Sequence, residues 1–395
     1  MKFRLCIIPT LILFFLFLIP IPALASAETV SKGTEELVNA QLERMELSEV
    51  MEYWENLSEE YGGFLPESQK GSLYEFLKGD KQFSLEEWAK GFMKFAFHEF
   101  ISNGKLMGSI ILLTIFSMFL QSLQNAFEKS TISKVAYSIV FMVLVILALN
   151  SFHIVIDYTN EAIRTMSTFI LALIPLLLGL IAASGGVVSA AFFHPVVLFL
   201  MNVSGFLVET VVLPLLFLST LLSIVSTMSE HYKVTQLAGM LKNWSIGLLG
   251  IFLTVFLGVL SVQGATSAVS DGIAIRTAKF LTGNFVPVIG RVFTDAADTV
   301  IGASVLLKNS VGIFGVVLLL LIAAFPAIKI LMIAFIYKLA AAILQPLGGG
   351  PIISCLDMIG KNIIYVFASL GIVSLMFFLC IAVIVASGNI TMMMR

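Results

Sequence analysis

The sequence predicts an all-α fold: a polytopic transmembrane helical bundle of about seven to nine spans, preceded by a small helical N-terminal extracytoplasmic head. Three observations carry this expectation. Hydrophobic residues fill 58% of the 395 positions and charged residues only 12%, against about 25% charged in soluble domains; the mean hydropathy is +1.01. The apolar residues gather into runs long enough to cross a bilayer, which takes roughly 20 residues of helix. The chain also opens on a secretion signal, so the residues after it start outside the cytoplasm.

That signal occupies residues 1–27. Lys2 and Arg4 precede an apolar stretch over residues 5–19, and Pro20, Pro22 and the small-residue run Ala23-Leu24-Ala25-Ser26-Ala27 supply the cleavage junction. Residues 28–103 then change character, holding 16 of the 25 acidic residues. Apolar residues recur there at helical steps, first Val38, Leu42 and Met45, then Val50, Trp54 and Leu57, which a helix turns into one stripe. Ser72 with Glu75, and Ser84 with Glu87, fit capping boxes that start helices. This region is read as the acidic, helical extracytoplasmic head. Its last helix sets Leu85, Trp88, Phe92 and Phe95 on one side, either to lie in the membrane interface or to face the core of the head.

Residues 104–395 form the multi-span membrane domain. Clear spans are expected at 106–123, 135–152, 166–183, 244–263 and 364–387. Two stretches are too long for a simple crossing: 187–228, whose one charge is Glu209 and which contains Pro214, and 311–345, which contains Pro326, Lys329 and Lys338. Each fits either a tight pair of spans or one tilted span. With the head outside, Lys129 and Lys134 fall in the cytoplasm, as the positive-inside bias expects. A hairpin at Glu209 places Lys233 and Lys242 inside and Arg276, Lys279, Arg291 and Lys308 outside; a single crossing reverses both.

Polar residues interrupt the membrane pattern most densely at about 264–308, where an amphipathic helical hairpin is expected. Gly283 and Asn284 mark its turn, and Pro287 suits the start of its second helix. On that helix Arg291, Asp295 and Asp298 stand at i, i+4 and i+7, opposite Val288, Val292, Ala296 and Val300. Ionisable groups at membrane depth cost a few kcal/mol each and turn toward a bundle interior or a water-filled cavity. The trio is therefore the candidate polar pathway or subunit contact, the alternative being an interfacial helix pair whose charges sit in water. Glu209, Lys329 and Lys338 pose the same choice, since a lysine can also snorkel to the interface.

Catalytic signatures are missing from the sequence. His98-Glu99 is not followed by a second histidine at the HExxH spacing, no GxSxG elbow occurs, and Gly348-Gly349-Gly350-Pro351 does not continue as a phosphate-binding loop. Three cysteines and four histidines are scattered without ligand spacing. No catalytic residue, metal or cofactor is assigned, and an enzyme is not expected. A net charge of -2 without clustered Lys and Arg argues against nucleic-acid binding.

The ALASAE junction, the acidic head and above all the string SDGIAIRTAKFLTGNFVPVIGRVFTDAADTVIGAS resemble the stage III sporulation protein AE family of endospore-forming bacteria, over essentially the whole chain. The resemblance implies a multi-pass protein of the cell membrane, in the mother-cell membrane surrounding the forespore. It implies a secretion-like channel complex with the other stage III sporulation operon membrane proteins and a forespore membrane protein across the intermembrane space, needed for forespore development and sigma G activity. The alternative is a small-molecule transporter associated with that complex. The family supplies no catalytic residues to carry over.

N-terminal sequencing of the protein extracted from membranes is expected to find a mature start at Ser26 or Glu28. A mature chain that begins at Met1 would show the signal to be retained.

Overall fold

The computed structural model describes residues 48–66, 85–126, 131–228, 233–285, 289–347 and 350–393. The signal over residues 1–27, the expected caps at Ser72 and Ser84, and Pro287 lie outside them. Among the described residues the regular structure is helical throughout. In chain order come α1 (Ser48–Tyr61), α2 (Leu85–Ser102), α3 (Gly104–Ala126), α4 (Thr131–Ala183) and α5 (Val187–Leu207); a π-helical segment (Val208–Val212) leads into α6 (Leu213–Met228). Beyond these lie α7 (Thr235–Phe285), α8 (Ile289–Leu344), a single 3-10 turn (Gln345–Leu347) and α9 (Pro351–Met393).

Six stretches among the described residues are long and apolar enough to cross a membrane, where the sequence predicts seven to nine. The difference arises because the backbone stays helical where polar residues interrupt the hydropathy. Residues 135–152 and 166–183 belong to one helix of 53 residues, α4. The polar stretch at 153–165 contains neither Gly nor Pro, so nothing breaks the i→i−4 ladder. Likewise α5, the π segment and α6 form one rod, Val187–Thr227, with no hairpin at Glu209. The helices expected at 264–308 are continuations of α7 and α8, rods of 51 and 56 residues. Gly283 and Asn284 lie within α7, which runs on to Phe285, rather than in a turn.

Two local devices shape the third rod. Pro214 has no N–H and its ring crowds the carbonyl four residues back; the π segment absorbs this by widening the ladder, with the Leu213 N–H reaching Val208 O. At the other end, α4 turns into α5 through Ser184-Gly185-Gly186. Gly185 takes φ 93°, and the Gly186 N–H bonds back to Ile181 O at 2.8 Å, the pattern of a glycine-ended helix. A Cβ on Gly186 would come within 2.7 Å of the Ile181 side chain. This residue therefore cannot cap α5 itself. Asp271 of α7 does so across the bundle, its Oδ1 accepting the N–H groups of Val188 at 3.1 Å and Ser189 at 3.2 Å.

The core is built around α8, which packs most extensively on α9 and α4. Close approach depends on missing side chains: a Cβ at Gly312 would run into Val385 of α9, and one at Gly315 into Leu173 of α4. Polar bonds link the rods as well. Tyr337 Oη bonds Ser151 Oγ at 2.9 Å, Asn362 Nδ2 donates to Thr220 Oγ1 at 3.0 Å, and Ser219 Oγ donates to Ala238 O at 2.7 Å. Such bonds between membrane helices contribute on the order of 0.6–2 kcal/mol each.

The two described helices of the expected head lie on this bundle and share its core. The predicted stripe on α1 is buried: Val50, Trp54 and Leu57, continued by Tyr61. Trp54 meets Phe314 of α8 edge-on at 6.0 Å, and Tyr61 stacks on Phe325 of α8 with ring centroids 4.0 Å apart. From α2, Phe95 packs edge-on against the same Phe325 at 5.0 Å.

Gly312→Leu and Gly315→Leu are each expected to destabilise the protein by about 1–3 kcal/mol through overpacking. Gly302→Leu is the control, since open space surrounds that position on the same helix. Thermal denaturation of the detergent-solubilised variants checks this; equal melting temperatures for all three would refute the packing argument.

Candidate functional site

The polar residues that interrupt α4 and α8 meet one another, and α1 completes their enclosure. Tyr158, Glu161, Ala162, Thr165 and Thr168 of α4, Ile322, Pro326 and Lys329 of α8, and Tyr53, Asn56, Leu57, Glu60 and Tyr61 of α1 line a cavity of about 360 Å³. Helical spacing explains the grouping: 158, 161, 165 and 168 advance by three or four, as do 53, 57 and 60, and 322, 326 and 329.

Lys329 is the electrostatic centre. It stands within a stretch of α8 apolar enough to span a membrane, and its side chain is only 19% exposed. Its Nζ donates to Glu60 Oε1 at 3.3 Å and to Tyr61 Oη at 3.1 Å. The same ammonium lies over the rings of Tyr61, 5.1 Å from the centroid, and Tyr158, at 5.5 Å, a cation held by two aromatic faces. Burial, reinforced by the neighbouring Glu60 carboxylate, pushes ionisation of the Tyr61 hydroxyl well above the ordinary tyrosine range, so it stays a neutral phenol.

A second polar contact lies beside the cavity. Arg164, one residue before Thr165, donates through Nε to Glu209 Oε1 at 3.2 Å and through Nη2 to Glu209 Oε2 at 3.1 Å. This paired geometry suits guanidinium and carboxylate. Glu209 sits in the π segment, so the two positions where α4 and the third rod depart from an apolar pattern face each other.

The sequence-predicted trio is placed only in part. The backbones of Arg291, Asp295 and Asp298 lie in the first turns of α8, and their side chains lie outside the described residues. Of the other flagged charges, Lys329 and Glu209 both find carboxylate or guanidinium partners. Glu60 and Glu161, by contrast, do not stand out in the sequence. The signal that could have found Glu161 is its position with Arg164 between two apolar runs that no Gly or Pro separates. Among the described residues no group of three or more His, Cys, Asp or Glu side chains could hold a metal ion.

Comparison with known proteins gives a consistent picture. The family model for stage III sporulation protein AE matches residues 68–388. Over 368 residues, 93% of this chain and 92% of the relative, the sequence is 65% identical to the stage III sporulation protein AE of Bacillus subtilis (strain 168). No solved structure matches the chain. The family match covers all six membrane-length stretches among the described residues, and the chain belongs to the stage III sporulation protein AE family.

Proposed function

We propose that the protein is a membrane component of the secretion-like channel complex between mother cell and forespore, required for forespore development and sigma G activity. Its place is the mother-cell membrane around the forespore. Its partners are the other stage III sporulation operon membrane proteins, and a forespore membrane protein across the intermembrane space.

Besides family membership, the reach of the apolar surface supports a multi-protein setting. Large apolar side chains are exposed from Leu237 to Ile273 along α7. That stretch rises about 54 Å at 1.5 Å per residue, whereas the hydrocarbon core is about 30 Å thick. An unbroken rod crosses once, and even a tilt of about 40° lengthens its path through the core to only about 39 Å. The overhang calls for cover by protein. Within this reading the face of Arg291, Asp295 and Asp298 is a subunit contact or part of a polar passage.

Deletion of the gene in the sporulating host is expected to abolish expression of a sigma G-dependent reporter in the forespore, with an ectopic copy restoring it. A tagged chain crosslinked in sporulating cells is expected to retain other membrane proteins of its operon. Normal reporter output in the deletion strain, or a tagged chain recovered alone, would refute the reading. Arg291→Ala and Asp295→Ala should each lower spore yield, and the double exchange Arg291→Asp with Asp295→Arg should partly restore it. A buried pair broken on one side costs about 3–5 kcal/mol, whereas an exposed one contributes well under about 1 kcal/mol. Wild-type yield in both single variants, at normal protein levels, would leave these charges in water.

A further inference from the structure

The cavity between α1, α4 and α8 carries more polar chemistry than the anchoring of Lys329 uses. A lysine ammonium has three N–H donors. Two go to Glu60 and Tyr61, which leaves one for an acceptor in the cavity. Glu161 lines the same space, and among the described residues it enters no ion pair. With Lys329 offset by Glu60, the lining keeps one carboxylate in excess, which favours an incoming ammonium. Thr165 and Thr168 add hydroxyls; that of Thr168 donates to the carbonyls of Arg164 and Thr165, and its oxygen remains an acceptor. Pro326 has no N–H to give the Ile322 carbonyl four residues back, and both residues line the cavity. Leu57, Ala162 and the ring of Tyr53 supply apolar surface.

An anion alone would satisfy Lys329 and meet the repulsion of Glu161. A simple amine would do the reverse and leave the ammonium's third donor unused. A ligand with both charges answers both groups. The volume of about 360 Å³ is near the lower end of ligand cavities, which run from about 300 to 1,000 Å³, and so suits a single small solute.

We infer that this cavity binds a small zwitterion of amino-acid size, its carboxylate on Lys329 and its ammonium on Glu161. The headgroup of an aminophospholipid shares the pairing of ammonium with anion, and the experiment separates the two sources. A negative result leaves the channel-complex reading standing.

The test uses the full-length mature protein in nanodiscs of phosphatidylglycerol, with tritiated L-glutamine, L-lysine and L-glutamate as probes in a scintillation proximity assay. Saturable binding of glutamine or lysine with a Kd of about 1 mM or tighter, weaker for glutamate, is expected. Unlabelled amino acid should displace the label, whereas propionate and propylamine should not. Glu161→Gln should weaken binding by about tenfold or more without changing the melting temperature, since Glu161 makes no described bond to α1. Lys329→Gln should weaken it as well, with a lower melting temperature because α1 loses its anchor. No saturable binding of any probe, equal displacement by propionate or propylamine, or unchanged affinity in Glu161→Gln would overturn the proposal. Loss of the label's binding in discs that contain phosphatidylethanolamine would assign the site to the lipid headgroup and overturn the soluble-solute reading.

Discussion

An ammonium midway along an apolar rod is the constraint around which this protein is arranged. Leaving Lys329 unpaired within α8 would cost a few kcal/mol on insertion scales. The structure offsets that cost with Glu60, the Tyr61 hydroxyl and two tyrosine faces. Three of those four groups come from Glu60 and Tyr61 of α1, a helix that precedes the six membrane-length stretches among the described residues. The aromatic contacts of Trp54 with Phe314 and of Tyr61 with Phe325 then hold α1 in register with the lysine. The N-terminal region thereby completes the interior of the membrane domain as well as extending it.

The bundle itself depends on close approach and on polar links more than on apolar burial, as expected where lipid is as apolar as the helix faces. Gly312 and Gly315 bring α9 and α4 against α8. Tyr337 with Ser151, Asn362 with Thr220 and Ser219 with the Ala238 carbonyl fix how the rods sit against one another. The remote capping of α5 by Asp271 adds a link between the α4–α5 turn and the far end of α7. These bonds join pairs far apart in the sequence, so the rods are held as a set, while their long exposed faces stay available to lipid and neighbouring chains.

Much of the fold is legible in the sequence, because apolar runs of bilayer length leave few other solutions. The number of rods is less so. Hydropathy reports where a chain is greasy and says nothing about whether its backbone bends. Residues 153–165 look like a loop by polarity, yet without Gly or Pro they stay helical, and they set Tyr158 against Lys329, Glu161 in the cavity lining and Arg164 against Glu209. Lys329 is visible as an anomaly, but its role is not, since Glu60 lies 269 positions earlier. The stripe of Val50, Trp54 and Leu57 is legible as a buried face; what buries it, α4 and α8 among others, lies far along the chain and no local spacing encodes it. The trio of Arg291, Asp295 and Asp298 keeps its helical spacing on the backbone of α8.

The π segment at Val208–Val212 also fixes how this region of the gene can vary in length. A π turn closes its N–H bonds five residues back where an α turn closes them four back, so it holds one residue more than an ordinary turn. Removing one codon here would restore ordinary winding and leave α6 on nearly its present face relative to α5, with Ser219 and Thr220 still toward Ala238 and Asn362. A codon lost from the ordinary turns on either side would instead swing everything beyond it by about 100°, a change transmitted to every contact downstream in the rod. Descent with modification can thus alter the length of this rod by one codon at the π segment, while its flanks are confined to changes of spelling at constant length.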